Sequence, residues 1–240
     1  MRASLLLVAL TLGLAATPAR AKSRCGVRHR LDGIDVSKYQ GDIDWRRVKR
    51  AGIVFAFARV SDGIDVLDET FAANWKAMHH AQIRRGAYQY FRASLDPLVQ
   101  ADLLVDTVQK AGRPDLPMVA DVETDDGADP STLQTNLQSW LDRVEKRTRR
   151  RPIIYTSPSM GERLGGRFAQ FPLWVAHYET ECPRMPDGWQ RWTFWQRANT
   201  GRVKGIQGNV DLDHFAGTWK LFARLNRRLH RHALERDAKH

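Results

Sequence analysis

The tripeptide Asp121-Val122-Glu123 carries the side chains best suited to acid–base chemistry. It ends an apolar run, 116–123, that is typical of a buried strand, in which residues i and i+2 face the same way, about 6–7 Å apart at Cα. Two carboxyls this close in a cleft raise one pKa, so one can act as a general acid while the other stays ionised. Glycoside hydrolysis uses this division of roles. Taken alone, the pair could equally be two strand-end acids that bind Arg or a helix N-terminus.

Further polar side chains stand at the ends of other predicted strands. They share one face of each strand because side chains alternate with period two. If that face lines the inside of a barrel, several carboxyls and three tyrosines ring one pocket, which favours the catalytic interpretation. These residues are Asp35 and Ser37, Tyr88, Tyr90 and Arg92, Tyr155, and Asp211 and Asp213.

The elements that must position these side chains alternate between short apolar strands and amphipathic helices. Predicted strands are 33–37, 53–60, 86–92, 116–123, 152–157, 173–178, 193–197 and 209–215, and predicted helices are 44–50, 68–81, 96–110 and 129–149. Asp96-Pro97 and Asp129-Pro130 are typical helix starts. Alternating βα units predict a parallel sheet, and eight strands predict a closed (β/α) barrel with its site at the C-terminal strand ends. Little helix is predicted between the last three strands, so the barrel should be irregular.

The composition is that of a soluble globular protein. The 240 residues are 42% hydrophobic and 27% charged, with a formal net charge of +11, which argues against disorder, collagen or a disulfide-stapled miniprotein. Residues 1–21 combine Arg2, an apolar run and an Ala-Arg-Ala cleavage site, and therefore predict a secretory signal peptide rather than a membrane anchor. Its removal takes away Arg2 and Arg20, so the mature chain carries 36 − 27 = +9.

Much of that charge lies in the C-terminal segment 219–240, which holds seven Lys or Arg and two acids and thus contributes +5. Trp219, Phe222, Leu225 and Leu229 recur at helical spacing. The segment could be a final helix packed on the barrel, or a cationic amphipathic helix that holds the protein on anionic envelope polymers or a membrane surface.

Cysteines, histidines and tryptophans give weaker signals. Cys25 and Cys182 are the only cysteines, and an oxidising compartment favours a disulfide. The predicted barrel argues against one, because Cys25 precedes the first strand at the bottom and Cys182 follows the sixth at the top. His79, His80, His177 and His214 lack metal-ligand spacing, and no Ser has a convincing His–Asp partner set. Trp174, Trp192 and Trp195 fall near late strands, where they could stack on sugars or pack in the core, whereas Trp45, Trp75 and Trp140 on predicted helices are interpreted as core.

Nine segments in a fixed order resemble glycoside hydrolase family 25, the muramidases. They are G-I-D-V-S (33–37), F-A-F-A-R-V-S-D-G (55–63), D-x-x-F-x-x-N-W (68–75), G-A-Y-Q-Y-F (86–91), D-V-E (121–123), I-Y-T (154–156), L-W-V-A-H-Y (173–178), W-Q (195–196) and V-D-L-D-H-F (210–215). The resemblance implies an irregular barrel of five βα units plus three further strands. It assigns 33–218 to the catalytic barrel, after an N-terminal extension 22–32 and before the basic tail 219–240.

The resemblance also implies a β-1,4 muramidase that cleaves peptidoglycan between N-acetylmuramic acid and N-acetylglucosamine with net retention. Glu123 matches the general acid, Asp121 the carboxyl that assists the substrate's acetamido group, and Asp35 and Asp211 two further acids. The implied substrate-binding residues are Tyr88, Tyr90, Tyr155, Trp174, Tyr178, Trp195 and Gln196.

Three positions depart from the family pattern. Gln89 replaces a common His and should face away from Tyr88 and Tyr90; Arg59 replaces a common Lys and Asp62 a common Glu. We expect a secreted monomer, periplasmic or extracellular, that needs no metal or cofactor and binds no nucleic acid. A non-catalytic glycan-binding protein, and a hydrolase of another N-acetyl amino-sugar polymer, are the alternatives.

Overall fold

The computed structural model describes residues 24–223 and 225. The predicted signal peptide and most of the basic tail therefore lie outside the described residues. The strands are β1 Arg30–Val36, β2 Phe55–Asp62, β3 Val66–Leu67, β4 Arg84–Tyr90, β5 Val119–Val122, β6 Ile153–Thr156, β7 Leu173–Ala176, β8 Phe194–Gly201 and β9 Val210–Ala216. The helices are α1 Trp45–Arg50, α2 Phe71–His80, α3 Pro97–Ala111, α4 Pro130–Thr148 and α5 Pro158–Leu164.

Eight strands close into a barrel in the order β1-β2-β4-β5-β6-β7-β8-β9, and β3 extends β2 as a short hairpin. Neighbouring strands from β1 to β8 are parallel, whereas β9 is antiparallel to both β8 and β1. Five βα units are thus followed by three strands, as predicted. The barrel spans residues 30–216, so β1 begins inside the segment predicted to be the N-terminal extension.

Aromatic side chains fill the barrel below the site. Phe55 and Phe57 on β2 are fully buried and meet Phe194 at ring-centroid distances of 5.3 and 5.2 Å. Gly33 and Gly86 lie on the flanking strands, where a Cβ atom would overlap these two rings. A second apolar layer lies between the strands and the helices and includes Trp45, Trp75 and Trp140, which confirms their interpretation as core residues.

The predicted helix starts are confirmed by their capping bonds. The Asp96 carboxylate accepts from the backbone N–H of Leu98, and Asp129 accepts from Ser131 and Thr132. Helix α2 begins later than predicted, at Phe71, and just before it the Asp68 carboxylate accepts from the backbone N–H and the hydroxyl of Thr70. Helix α5 follows β6, where no helix bounds were predicted from the sequence, and completes the fifth βα unit.

A disulfide joins Cys25 to Cys182, with the two Cα atoms 5.2 Å apart. The expectation that barrel geometry disfavours this bridge is wrong. Because β7 and β8 are parallel, the connection 177–193 must descend from the C-terminal rim to the start of β8. The connection is still beside the rim two residues after Cys182, where the Arg184 N–H donates to His177 Nδ1 at 2.9 Å, so the segment before β1 reaches Cys182 along the outside of the barrel.

The start of the C-terminal segment closes the bottom of the barrel. Residues 219–223 are helical, and the Phe222 ring is buried against Phe55 and Phe215 at 5.5 and 4.9 Å. Trp219 stays 45% exposed. The described part of this segment therefore fits the final-helix interpretation. Within the described residues, none of the helices is both long and apolar enough to cross a membrane.

Candidate active site

A cleft of about 420 Å³ opens at the C-terminal ends of the parallel strands. All but one of the predicted site residues line it. They are Asp35, Tyr88, Tyr90, Asp121, Glu123, Tyr155, Trp174, Tyr178, Gln196 and Asp211. The strand period of two explains this convergence, because each of these side chains belongs to the inward face of its strand.

Trp195 is the exception, and its prediction as a substrate-binding residue is wrong for this structure. On β8 the inward position belongs to Gln196, so Trp195 points outward and is 2% exposed. Its ring packs against Trp192 at 5.8 Å, and its Nε1 donates to the backbone oxygen of His177 at 2.8 Å. Trp195 is therefore a packing residue behind the site.

Asp121 and Glu123 point into the cleft from the end of β5. Asp121 is 5% exposed, and its Oδ1 has no hydrogen-bond partner among the described residues. Glu123 lies at the mouth and is exposed to the cleft. Burial, followed by the charge of Glu123, raises the pKa of Asp121 well above its ordinary value, and burial raises the pKa of Glu123. The pair therefore holds a proton more tightly than two free carboxyls would.

A second group of carboxyls faces this pair from β1 and β9. Because β9 is antiparallel, its first residues lie at the same rim as the last residues of the other strands, and Asp211 is the Cα partner of Asp35. Burial and the charges of Asp211 and Asp213 raise the pKa of Asp35 well above its ordinary value. Burial also raises the pKa of Asp211, to about 6. Of these carboxyls Asp211 has the smaller rise in pKa, so it is the one most readily ionised opposite a protonated pair.

Hydrogen bonds through Gln196 connect Tyr155 and Tyr178 to Asp35. Its Nε2 donates to Asp35 Oδ2 at 2.7 Å, and its Oε1 accepts from the hydroxyls of Tyr155 at 2.7 Å and Tyr178 at 2.6 Å. The carboxylate can only accept and both hydroxyls donate, so the amide orientation is fixed by its partners. Gln196 is 3% exposed, and its three hydrogen bonds fix its side chain beside Asp35.

Trp174 forms the floor of the cleft rather than an open platform. It is 2% exposed and stacks on Phe57 with centroids 4.5 Å apart. Its Nε1 donates to Asp213 Oδ1 at 2.9 Å. Asp213, seen in the sequence but not assigned to the site, thus fixes the indole beneath Asp35 and Asp211.

The structure brings to the cleft seven residues that were not predicted as site residues. They are Ser37, Tyr39, Gln40, Arg59, Asp62, Arg92 and Asn199. Arg59 and Asp62 were noted only as departures from the family pattern, and Ser37 and Arg92 only as strand-end residues. Tyr39 and Gln40 lie on a connection after β1, where residue spacing carries no periodic signal. Gln89 faces outward as predicted and accepts from Trp140 Nε1 at 2.8 Å.

Replacing Asp213 with Asn should raise the stability of the fold at neutral pH. Burial raises the pKa of Asp213 well above its ordinary value, and its Oδ2 has no hydrogen-bond partner among the described residues. A raised folded-state pKa favours folding below the unfolded pKa of about 3.9, and this contribution is lost as pH rises through the folded value. Asn avoids that loss and can still accept from Trp174.

We expect Asp213→Asn to melt about 2–4 °C above the wild type at pH 7, a shift typical of about 1 kcal/mol, and close to the wild type at pH 4. Thermal unfolding at both pH values measures this. Asp187→Asn, at an exposed carboxyl, is the control and should show no difference. A lower melting temperature for Asp213→Asn at pH 7 would contradict the prediction.

Among residues 24–223 and 225, no group of three or more His, Cys, Asp or Glu side chains is arranged to hold a metal ion. The arrangement that the site does offer is a protonatable pair on β5, opposed by carboxyls on β1 and β9 across an open cleft. A (β/α) barrel with such carboxyls at its C-terminal strand ends has the layout of a glycoside hydrolase.

Comparisons with known proteins agree. Residues 34–206 match the family described as Glycosyl hydrolases family 25. YegX of Escherichia coli K12, described as uncharacterized, is 38% identical over 201 residues, or 81% of this chain and 73% of that protein. Lysozyme M1 of Streptomyces globisporus is 37% identical over 201 residues, which cover 78% of this chain and 68% of that protein. The crystal structure of the bacterial lysozyme from Streptomyces coelicolor matches with a TM-score of 0.77 and 32% identity, covering 84% of this chain and 99% of that one. The chain belongs to glycosyl hydrolase family 25 and is a glycoside hydrolase.

Proposed function

We propose that this protein is a secreted muramidase that cleaves the β-1,4 bond between N-acetylmuramic acid and N-acetylglucosamine in peptidoglycan. The observation that carries the proposal is the Asp121–Glu123 pair, which projects into an open cleft with both carboxyl pKa values raised. The names of the Streptomyces relatives, both lysozymes, support the choice of substrate.

In the proposed mechanism, Glu123 donates its proton to the glycosidic oxygen as the bond to the anomeric carbon breaks. The acetamido oxygen of the substrate attacks that carbon and forms an oxazolinium ion, which keeps its N–H proton. Asp121, which lies deeper on the same face of β5, accepts from this N–H and stabilises the positive charge. Water then attacks the anomeric carbon, reopens the ring to the acetamide and loses a proton to Glu123, so configuration is retained.

Asp35 and Asp211 are proposed to stabilise positive charge on the sugar from the opposite wall. Tyr88, Tyr90 and Tyr155, with Tyr178 held by Gln196, are proposed to shape the pocket around the sugar at the scissile bond. Tyr90 and Tyr178 are the half-buried members of this set, and the Arg92 guanidinium lies over the Tyr90 ring at 4.5 Å. This fixed wall would hold the sugar ring in one orientation.

Digestion of purified peptidoglycan by the mature chain, starting at Lys22, tests the proposal. Mass analysis of the released fragments should find muramic acid at the new reducing ends. Glucosamine at those ends would show that the protein is a hydrolase but that it cleaves the other glycosidic bond of the strand. Activity on chitin oligosaccharides without any requirement for the lactyl ether would assign another amino-sugar polymer.

Secretion is part of the same proposal. It is supported by the signal-peptide pattern of residues 1–21 and by the Cys25–Cys182 disulfide, since such bonds persist in oxidising compartments. Expression of the full chain in a bacterial host, followed by fractionation and N-terminal sequencing, should find the mature protein outside the cytoplasm, beginning at Lys22.

The basic tail is proposed to hold the enzyme on anionic envelope polymers. Phe222 closes the bottom of the barrel, so a truncation that removed it would also disturb the fold. A truncated chain that tests the tail should therefore end after Leu225. That truncation removes Arg227, Arg228, Arg231, Arg236 and Lys239 with two acids, a net +3. We expect slower digestion of intact cell walls at low salt, a difference that shrinks at high salt, and unchanged cleavage of short soluble strands. Equal rates on intact walls at low salt would refute this role.

A further inference from the structure

Tyr39 is a large aromatic side chain that the described residues leave mostly open to solvent. It lies on the connection after β1, lines the edge of the cleft, and is 77% exposed. In barrel order this connection is three strands away from β5, which carries the Asp121–Glu123 pair. The ring therefore lies at the edge of the cleft, on the side away from the Asp121–Glu123 pair.

The backbone that presents Tyr39 is held rigidly. Residues Lys38–Gln40 form a single 3₁₀ turn in which the side chain of Gln40 accepts from the Ser37 N–H at 2.9 Å. The Ser37 hydroxyl caps the turn by accepting from the Tyr39 N–H. The Lys38 N–H donates to the buried carboxylate of Asp68 at 2.9 Å. A fixed turn with an exposed ring at its centre is pre-organised for contact with something outside the fold.

Cations support the ring without covering it. The Arg59 guanidinium lies 5.2 Å from the ring centroid, and the Lys38 ammonium lies 5.9 Å away. Arg59 is itself anchored by Asp68 at 3.0 Å, and its side chain is 11% exposed. These contacts limit the motion of the Tyr39 ring and leave most of its surface open to the cleft.

We propose that Tyr39 forms a further sugar-binding subsite, in which its ring stacks on the apolar C–H face of a pyranose beyond the pair of sugars at the scissile bond. The inference rests on the proposed function, because the polymer that crosses the cleft is taken to be a glycan strand. A rigid, amphipathic tyrosine at a cleft edge suits this role, since it supplies contact area with little loss of conformational entropy.

The test compares Tyr39→Ala, Tyr39→Trp and the wild type on peptide-free glycan strands of defined length. For the wild type, kcat/KM should rise as the strand grows long enough to reach Tyr39. For Tyr39→Ala that rise should be lost, so that kcat/KM on long strands falls about three- to tenfold, mainly through KM, while the shortest cleaved strands are unaffected. Tyr39→Trp should restore the rise.

Leu67→Ala is a matched control, because Leu67 is 58% exposed on the neighbouring β3 hairpin and does not line the cleft. It should behave as the wild type. Equal length dependence for Tyr39→Ala and the wild type would overturn the subsite. A loss confined to peptide-bearing strands would show that the ring contacts the stem peptide and not a sugar. If the wild type cleaves no glycan strand at all, the proposed function fails, and binding of strands to Glu123→Gln with and without Tyr39→Ala still tests the ring.

Discussion

Replacing Glu123 with Gln should lower kcat on peptidoglycan by about 10²–10⁴-fold, the range expected for loss of a general acid, with little change in KM. The amide has nearly the shape of the carboxylic acid but has no proton to donate to the leaving oxygen. The reason to expect a proton there lies in the geometry, because Glu123 shares one face of β5 with the buried Asp121 and burial raises both pKa values. Release of reducing sugar from purified peptidoglycan measures the effect.

The pH dependence gives this prediction a second readout. A general acid with a raised pKa is active below that pKa, so the wild-type rate should fall as pH rises through the value shared by the pair. The small residual rate of Glu123→Gln should lack this alkaline limb. Glu69→Gln, at an exposed glutamate outside the cleft, is the control and should match the wild type. A Glu123→Gln rate above a tenth of the wild-type rate would remove Glu123 from the role of general acid.

The strand period explains why most of the site could be predicted from the sequence. Asp121 and Glu123 share a face because they are two residues apart, and the same rule places Tyr88 with Tyr90 and turns Gln89 outward. The alternation of strands and helices predicted the barrel, and the rule that barrel sites lie at the C-terminal strand ends predicted the position of the cleft. These patterns are local in the sequence, so they predict the strands and their inward faces without knowledge of the tertiary contacts.

The features that were missed depend on non-local geometry. The reversed direction of β9 brings Asp211 to the rim, and no residue of β9 itself encodes that direction. Cys182 meets Cys25 because the segment before β1 runs along the outside of the barrel to reach it. Tyr39 lines the cleft from a turn with no periodic signal. The prediction for Trp195 failed for a simpler reason, since one face of β8 cannot hold both Trp195 and Gln196.

Gln196→Glu should lower kcat/KM about 10–100-fold, the cost typical of losing a residue that orients an active-site group. An ionised Glu keeps the acceptors for Tyr155 and Tyr178 but cannot donate to Asp35, which it would face as a second acid. The Gln196 hydrogen bond counteracts the rise in the pKa of Asp35 that burial causes. Without that bond the pKa of Asp35 rises further, so the acidic limb of the pH–rate profile should move to higher pH.

Gln196→Met separates loss of the hydrogen bond from addition of the charge. It removes the donor to Asp35 and the acceptor for both tyrosines without introducing an acid, so its rate should fall while its acidic limb shifts less than that of Gln196→Glu. Because Gln196 is buried beneath the cleft, both losses should appear in kcat more than in KM. An unchanged pH profile for Gln196→Glu would mean that the residue only fills space. A raised KM at constant kcat would mean that Gln196 binds the sugar directly. In that case the ionisation of Asp35 would not depend on its hydrogen bond with Gln196.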